Sequence, residues 1–263
     1  PKIAAICRGG LNQVETTAAN RTGVTMLHTP GRNAPAVAEF ILAQMFNLSR
    51  QISTAASYVA SHLWQNPIEP YIRFRGRELK GKTLGLIGFG AIGQEVAFLA
   101  QGIGMSVIAY DPYVNEYSEE HSTASLVGID ELLTLSDFIS VQIPDYPSNS
   151  SMLNAERISA MKEGVYIISV VGSSVIEASA LLDGLANGQI AGAALDVHET
   201  HPISPAWIGF KAPNLVLTPH IGGSTQETIE RHSSMICSDI TSCCLLYTSD
   251  AADDTPCVDL GGR

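Results

Sequence analysis

Short apolar runs alternate with helically spaced segments along most of the chain after Gly81. The runs predict strands at Thr83–Ile87, Ser106–Tyr110, Phe138–Gln142, Val165–Val170, Ala191–Leu195 and Leu215–Leu217. The segments between and after them predict helices at Ala91–Gly102, Ile129–Leu135, Asn154–Met161, Glu177–Asn187 and Ser224 to about Ile240. Strand–helix alternation at this spacing predicts an α/β fold with a doubly wound parallel sheet and right-handed crossovers.

The first 80 residues follow a different pattern. They predict a strand at Lys2–Ile6, a brief helix at Val14–Asn20, a strand at Val24–His28, a turn at 29–33 and a long helix at Ala34–Arg50. The long helix carries one broad apolar stripe, which needs either the chain's own core or a partner to cover it. The Pro-rich and basic stretch Asn66–Arg77 is interpreted as a linker or an exposed loop.

The two ends of the sequence differ from the rest. The chain begins with Pro1, and a strand is predicted at once. From Leu245 to Arg263 the helical apolar spacing stops, and small and acidic residues take over. We expect residues 241–263 to be a tail outside the fold, either non-native or disordered.

Composition and charge limit the classes of function. The 263 residues are 45% hydrophobic and 16% charged, as in a globular enzyme, and the net charge of −11 disfavours binding to nucleic acid or to an anionic membrane. No apolar run approaches the roughly 20 residues that span a bilayer, and no secretory signal precedes the first strand. The five cysteines form no metal-binding pair. We therefore expect a cytoplasmic protein without a metal site.

A glycine-rich turn follows the predicted strand Thr83–Ile87 and opens the next helix. It reads Gly88-Phe89-Gly90-Ala91-Ile92-Gly93, with the spacing G-x-G-x-x-G. Gly88 permits a tight turn, Gly90 lets the backbone approach a pyrophosphate, and Gly93 lets helix and strand pack closely. The free N–H groups at the helix N-terminus attract the phosphates. With Asp111 after the next strand, the pattern predicts a Rossmann dinucleotide-binding unit rather than a purely structural glycine turn.

Asp111 selects the cofactor in this interpretation. A carboxylate at this position accepts hydrogen bonds from a ribose with a free 2′-hydroxyl and repels a 2′-phosphate. No Arg or Lys follows, because the sequence continues with Pro112 and Tyr113. The predicted cofactor is therefore NAD rather than NADP.

Several further motifs bring in a known family. They are Cys7-Arg8-Gly9-Gly10, 29–33 (TPGRN) leading into 37–39 (VAE), 81–88 (GKTLGLIG), 110–112 (YDP), 193–197 (AALDV) and 218–223 (TPHIGG). Together with the fingerprint, these motifs make the chain resemble the D-isomer-specific 2-hydroxyacid dehydrogenases, which include phosphoglycerate dehydrogenase, over most of residues 7–240.

The resemblance implies two domains and a dimer. Residues 1–33 correspond to a remnant of a flavodoxin-like substrate domain, 34–80 to an interdomain and dimerisation helix with a linker, and 81–240 to the NAD-binding domain. In this plan a cleft between the domains holds the substrate over the nicotinamide. Measured against the family, the start of the substrate domain and its returning segment are missing.

The resemblance also assigns residues. Arg8, Gly9 and Gly10 match a loop that binds the substrate carboxylate, His220 matches the general acid/base, and Asp196 either approaches the nicotinamide carboxamide or caps a turn. The residues expected to bind the cofactor are Gly88, Phe89, Gly90, Ala91, Ile92, Gly93, Asp111, Pro112, Pro144, Val170, Asp196, His220, Gly222 and Gly223.

Two positions depart from the family pattern. Gly172 stands where the family carries an arginine that binds the substrate's carboxylate and carbonyl oxygens, with Ser173 and Ser174 after it. His201 stands where a glutamate usually pairs with the catalytic histidine; a second imidazole stabilises imidazolium far less well. A metal site made of His198, His201 and His220 is the weaker interpretation, because no carboxylate or cysteine lies at ligand spacing.

Two functions follow from this pattern. The first is an NAD-dependent dehydrogenase that transfers hydride between nicotinamide and a small 2-hydroxy or 2-oxo acid, with Arg8 or the serines near 173 replacing part of the arginine's role. The second is an NAD(H)-binding sensor that has lost efficient chemistry, as in the family's corepressor-like relatives. A further expectation is that the fragment by itself is inactive, because half a substrate domain cannot exclude water from the cleft.

Overall fold

The computed structural model describes residues 2–11, 14–114 and 124–249. Its strands are β1 (Ile3–Ile6), β2 (Thr25–His28), β3 (Thr83–Ile87), β4 (Ser106–Tyr110), β5 (Ser125–Leu126), β6 (Phe138–Val141), β7 (Val165–Ser169), β8 (Ile190–Leu195) and β9 (Leu215–Leu217). Its helices are α1 (Thr16–Arg21), α2 (Ala34–Arg50), α3 (Ile52–Ala60), α4 (Glu69–Arg73), α5 (Ala91–Gly102), α6 (Ile129–Leu135), α7 (Ala155–Ala160), α8 (Ala178–Asn187) and α9 (Gln226–Ser249).

The chain divides into two compact units. The described residues of 1–32 and 225–263 form one, called here the terminal unit, and residues 33–224 form the other, the central unit. No described helix is both long and apolar enough to cross a membrane.

The central unit is built on one parallel sheet in the strand order β5-β4-β3-β6-β7-β8-β9. Strands β6 and β7 are buried at every residue. Such continuous burial is typical of a parallel strand that is covered on both faces, and it explains why these segments are apolar runs without alternation. The predicted doubly wound α/β fold is confirmed, and the predicted strands differ from the observed ones by at most one residue at either end.

Helices cover both faces of this sheet. One buried cluster contains Leu84 and Leu86 of β3 with residues of α2 and α5. The other contains Ile87 of β3 with residues of α6, α7 and α8. Because successive side chains of a strand point to opposite faces, β3 supplies both layers of the core.

Helix α2 lies in the core of its own chain. It spans Ala34–Arg50 as predicted, with proline in its first turn, where a missing N–H costs little. Ile41 and Met45 of its apolar stripe are fully buried, and α2 packs against α5, β7 and β8. The stripe therefore does not need a second subunit to cover it.

The segment after α2 differs from the expectation. Residues 51–77 contain α3 and α4, whereas Asn66–Arg77 was expected to be a linker or loop. Pro70 occupies the first turn of α4, a place where proline is compatible with a helix. The hydroxyl of Tyr58 on α3 donates to Glu69 on α4, and this hydrogen bond is the main reason that the pKa of Glu69 is lowered. This long-range contact cannot be seen in the local pattern.

The terminal unit is small. Strands β1 and β2 pair in parallel, and α9 packs against both. The last helix was expected to end near Ile240 and to belong to the NAD-binding domain. Instead α9 continues to Ser249 and clusters with the terminal unit. The expectation of disorder from residue 241 is therefore wrong for 241–249, which continue the helix because each residue added to it gains a backbone hydrogen bond. The non-native origin of the tail stays a prediction. Residues 250–263 lie outside the described part.

Candidate functional site

The carboxyl ends of the parallel strands meet at one edge of the central sheet. Because all seven strands run in the same direction, the loops after β3, β4, β6, β7, β8 and β9 emerge there. In open α/β sheets this edge is where ligands bind. Every candidate residue of the central unit lies in or next to one of these loops.

The glycine turn after β3 has the geometry that its spacing predicts. Gly88 has a φ of +100°, which only glycine adopts easily. A Cβ on Gly93 would lie 2.4 Å from the backbone oxygen of Gly88, so only glycine lets α5 begin this close to β3. A Cβ on Gly90, in contrast, would meet no atom within 4 Å. The space in front of Gly90 is therefore open to a ligand.

The N-terminus of α5 supplies donors to that space. Gly90 is the N-cap residue and makes no side-chain cap, and Ala91, Ile92 and Gly93 form the first turn. The N–H groups of a first helical turn have no partner within the helix, and they carry the positive end of the helix dipole. Open space at a glycine next to such donors fits the pyrophosphate of a dinucleotide.

Gln142 holds the glycine turn, and the sequence analysis did not identify this residue. Its Nε2 donates to the backbone oxygen of Gly88 at 2.7 Å, while its Oε1 accepts from the hydroxyl of Ser140 at 2.8 Å. The backbone N–H of Gln142 donates to the backbone oxygen of Ile87 at 3.0 Å. The only local signal was an amide residue at the end of an apolar strand, and its partner lies 54 residues earlier.

Asp111 lies directly after β4 and contacts the same turn. Its Oδ2 accepts from the backbone N–H of Phe89 at 2.9 Å, and its Oδ1 accepts from that of Tyr113 at 3.0 Å. Each carboxylate oxygen has a second lone pair, so the half-buried side chain can still accept from a ribose hydroxyl. Pro112 follows it in an exposed turn.

Asp196 anchors the loop that carries His220. The carboxylate is only 2% exposed and accepts three hydrogen bonds from that loop. They come from the hydroxyl of Thr218 at 2.6 Å, the N–H of Ile221 at 2.9 Å and the N–H of Gly222 at 2.8 Å. Of the two roles considered for Asp196, this geometry favours the turn cap.

His220 is exposed at the tip of this loop. Its φ is +59°, in the left-handed region, and its N–H donates to the backbone oxygen of Thr218 at 3.0 Å. Non-glycine residues adopt this conformation rarely, and they do so where the surroundings enforce it. The three hydrogen bonds to Asp196 supply that enforcement.

Three imidazole rings form a row beside the loop. The ring centroids of His198 and His201 are 6.0 Å apart, and those of His201 and His220 are 5.5 Å apart. A ring nitrogen of His198, Nε2, lies 2.8 Å from the backbone oxygen of Thr218 and donates to it. Among the described residues, no three His, Cys, Asp or Glu side chains are placed to hold a metal ion. The row therefore does not support the metal interpretation.

Asp145 lies against Gly172, at the position where the family carries arginine. A Cβ on Gly172 would be 1.9 Å from Oδ2 of Asp145, and the hydroxyl of Ser174 donates to Oδ1. The loop after β6 thus brings a negative charge to this place. Sequence reasoning identified Gly172 but not Asp145, because the two residues meet only across neighbouring strands.

The remaining candidates of the central unit occupy the same edge. Pro144 is exposed after β6, and Val170 is half-buried after β7. A Cβ on Gly223 would lie 2.9 Å from Nδ2 of Asn33, so the Asn33 side chain packs closely against this glycine.

The Arg8–Gly10 loop lies in the terminal unit, directly after β1. Its three residues are exposed. The backbone oxygen of Arg8 accepts from the N–H of Thr29 at 2.9 Å, and that of Gly9 lies 3.0 Å from Nδ1 of His28, which donates to it. The loop is therefore fixed to the end of β2.

Comparisons with known proteins agree with this geometry. A sequence profile of the D-isomer specific 2-hydroxyacid dehydrogenase, NAD binding domain, matches residues 42–222. Hydroxypyruvate reductase of Thermotoga maritima is 38% identical over 88% of this chain and 73% of its own length. D-3-phosphoglycerate dehydrogenase of Mycobacterium tuberculosis is 35% identical over 88% of this chain but 43% of its own length. The chain thus spans less than half of several curated relatives it matches.

A solved structure gives the same result for the fold. D-lactate dehydrogenase from Aquifex aeolicus, crystallised with NAD and lactic acid, superposes with a TM-score of 0.76 at 27% identity, covering 92% of this chain and 75% of that one. The profile match, the Thermotoga relative and the glycine turn with Asp111 lead to one conclusion: the chain belongs to the D-isomer-specific 2-hydroxyacid dehydrogenase family and contains its NAD-binding domain.

Proposed function

We propose that the chain binds NAD(H) in preference to NADP(H) and belongs to an enzyme that interconverts a 2-hydroxy acid and a 2-oxo acid, with His220 as the general acid/base. The observation that carries this proposal is the loop 218–223. Asp196 fixes it at the same sheet edge as the glycine turn, and His220 is exposed at its tip. NADH supplies the hydride when it is bound.

His220 provides the proton in this reaction. As hydride reaches the carbonyl carbon, the carbonyl oxygen becomes an alkoxide and takes a proton from imidazolium. In the reverse direction the neutral ring removes that proton from the hydroxyl. Imidazole suits both directions because it titrates near neutrality. The anchored loop limits the positions that the ring can take, and this lowers the entropic cost of reaching the reactive geometry.

The contact between Asp145 and Gly172 supports the alternative function, a protein that binds NAD(H) with little turnover. Where the family resemblance implies a cation that polarises the carbonyl, the central unit presents a carboxylate and a serine hydroxyl. Loss of a charged donor from such a site costs roughly a hundredfold or more in rate. An NAD(H)-binding protein with little turnover, such as a sensor of the cofactor, is the second candidate. The dehydrogenase remains the first because Asp196 holds the loop 218–223 and His220 is exposed at its tip, even though His201 stands where the family usually has a glutamate.

Substitution of His220 by asparagine separates the two candidates. Asparagine tolerates positive φ, so the loop should keep its shape while the proton donor is lost. In the full-length protein we expect turnover of 2-oxo acids with NADH to fall roughly 10²- to 10⁴-fold, with the NADH dissociation constant unchanged in fluorescence titration. The matched control is His62→Asn, because His62 also has a positive φ, of +56°, and is exposed.

Equal turnover in the wild type and His220→Asn would rule out the acid/base role. Tight NADH binding by the full-length wild-type protein without turnover of any member of a broad 2-oxo acid panel would favour the sensor.

We also propose that the protein is a homodimer in the cytoplasm. The segment around α3 and α4 exposes large apolar side chains, among them Val59, Leu63, Trp64, Ile68 and Ile72, which are each more than half exposed. Large exposed apolar side chains concentrated in one segment of the chain favour association. Cys7, Cys237 and Cys244 are free thiols, which suits a reducing compartment. A strictly monomeric protein in sedimentation equilibrium would contradict the dimer, and export of the full-length protein would contradict the compartment.

A further inference from the structure

Asp145 places a negative charge beside the loop after β7 without a cation to balance it. Its side chain is exposed in the loop after β6, and Oδ2 lies against the position that a Cβ on Gly172 would occupy. Oδ1 accepts from the hydroxyl of Ser174. None of the ion pairs of the described residues includes Asp145. A neutral hydroxyl leaves the charge in place, so the carboxylate can still attract a positively charged ligand.

Asp145 lies next to residues that are expected to bind the cofactor. It directly follows Pro144, and Gly172 comes two residues after Val170. Strands β6 and β7 are paired in parallel, so the loops that follow them emerge side by side at the carboxyl edge of the sheet. A substrate that is reduced at this edge therefore lies in the electric field of Asp145.

A carboxylate at this place affects carbonyl and iminium substrates in opposite ways. As a carbonyl carbon accepts hydride, its oxygen gains negative charge, and a nearby carboxylate raises the energy of that transition state. An iminium nitrogen carries a positive charge and an N–H before the reaction, so the carboxylate attracts it and accepts its hydrogen bond. The carboxylate also favours the protonated iminium over the neutral imine, which accepts hydride far less readily. Asp145 therefore disfavours a 2-oxo acid and favours the corresponding iminium.

We propose that the site at this edge reduces the iminium of a 2-imino acid to an amino acid, and that Asp145 selects this substrate. The iminium forms from a 2-oxo acid and ammonia or a primary amine, with loss of water. Its carbon accepts hydride from bound NADH, which is oxidised, and the electron pair of the C=N π bond moves to nitrogen. The resulting amine takes a proton from water. The hydride comes from the cofactor of the proposed function, so this activity rests on that function and differs from it in the electrophile.

The other departure from the family pattern, His201, fits the same substrate. Its ring centroid lies 5.5 Å from that of His220, where the family usually has a glutamate. An imidazole stabilises imidazolium less than a carboxylate does, and carbonyl reduction needs that imidazolium as its acid. An iminium nitrogen brings its proton with it, so its reduction depends less on His220.

Reductive amination of pyruvate with methylamine measures this activity. The full-length protein should oxidise NADH roughly tenfold or more faster with both compounds than with pyruvate alone, and mass spectrometry should detect N-methylalanine. In Asp145→Asn, which keeps the size of the side chain and loses its charge, kcat/KM for amination should fall by roughly tenfold or more. The kcat/KM for pyruvate alone should not fall. Asp183→Asn, at an exposed aspartate of α8, is the matched control and should leave both values unchanged.

A charge exchange tests the same role in the opposite direction. In the double variant Asp145→Ala with Gly172→Arg, the shortened residue 145 makes room for a guanidinium. This variant should gain roughly a hundredfold in reduction of pyruvate and lose most of its amination. In His220→Asn, amination should fall far less than reduction of pyruvate does. Circular dichroism and fluorescence titration with NADH check that each variant is folded and binds the cofactor.

The outcomes separate this activity from the proposed function. Reduction of pyruvate without any N-methylalanine would refute the imine activity and leave the proposed function standing. Formation of N-methylalanine without reduction of any 2-oxo acid alone would uphold the imine activity and refute the proposed reaction. Equal amination by Asp145→Asn and the wild type would refute the selecting role of Asp145. NADH binding without turnover of either substrate would refute both reactions.

Discussion

Asp196 anchors the loop that carries His220 at the candidate site. Its carboxylate accepts three hydrogen bonds from the loop that bears His220, and it is almost completely buried. Hydrogen bonds to a charged acceptor are stronger than those to a neutral one, so three of them can hold a residue at an unfavourable φ. We therefore describe Asp196 as a positioning residue for His220.

Replacing Asp196 by asparagine tests this role. The amide would turn an NH₂ group toward donors of the loop, so at least one hydrogen bond becomes a repulsion. We expect kcat to fall by roughly tenfold or more and the free energy of unfolding by about 1–3 kcal/mol, while the NADH dissociation constant stays near that of the wild type. Asp183→Asn, at an exposed aspartate of α8, is the matched control for stopped-flow turnover and urea unfolding. An unchanged kcat in Asp196→Asn would show that the loop does not need this anchor.

The residues of the site were predictable to different degrees. Gly88, Asp111 and His220 lie in contiguous motifs, and the contact of Asp111 with the glycine turn follows from the pairing of β3 with β4. Gln142 and Asp145 were not predictable. Gln142 bonds to Gly88, 54 residues earlier in the chain, and Asp145 contacts Gly172 and Ser174, 27 and 29 residues later. Only the order of the strands in the sheet brings these residues together. A single sequence gives composition and local spacing, whereas such contacts depend on topology.

At the scale of elements, the turn between β3 and α5 depends on a close approach. Gly93 lies where a side chain would collide with the backbone of Gly88, so the start of α5 is held against the end of β3. Backbone cannot move aside as a flexible side chain can. The shape of the pyrophosphate site therefore rests on this packing as much as on the open space at Gly90.

Alanine at position 93 should disrupt that packing. The collision at 2.4 Å requires α5 to shift, so we expect a loss of about 1–3 kcal/mol in the free energy of unfolding and at least a tenfold weaker affinity for NADH. Gly102→Ala in the same helix is the control. Its Cβ would meet no atom within 4 Å, so it should keep the affinity and gain up to about 1 kcal/mol of stability. Calorimetric binding with thermal unfolding measures both quantities, and wild-type affinity in Gly93→Ala would be the contrary result.

The elements themselves were predicted well where periodicity is strong. Strands β6 and β7 and helix α2 follow from apolar runs and one clear stripe. Helices α3 and α4 were not predicted from the sequence pattern. The contact that joins them, between Tyr58 and Glu69, connects two segments and leaves no local spacing to recognise. The two residues of β5 are too few to form a pattern.

At the scale of the whole molecule, cofactor binding and catalysis are separable. The glycine turn, Gln142 and Asp111 are all in the central unit and are connected by hydrogen bonds. The features that depart from the family, Gly172 and His201, concern the substrate and the proton. Cofactor binding can therefore be measured independently of turnover.

The most direct test of the account is calorimetric titration of the protein with NADH and with NADPH. We predict that NADH binds at least tenfold more tightly, since the carboxylate of Asp111 would face the 2′-phosphate of NADPH at close range. In Asp111→Ala this preference should shrink toward equality, while Asp183→Asn should retain it. Equal or tighter binding of NADPH to the wild type, or an unchanged ratio in Asp111→Ala, would contradict the central claim.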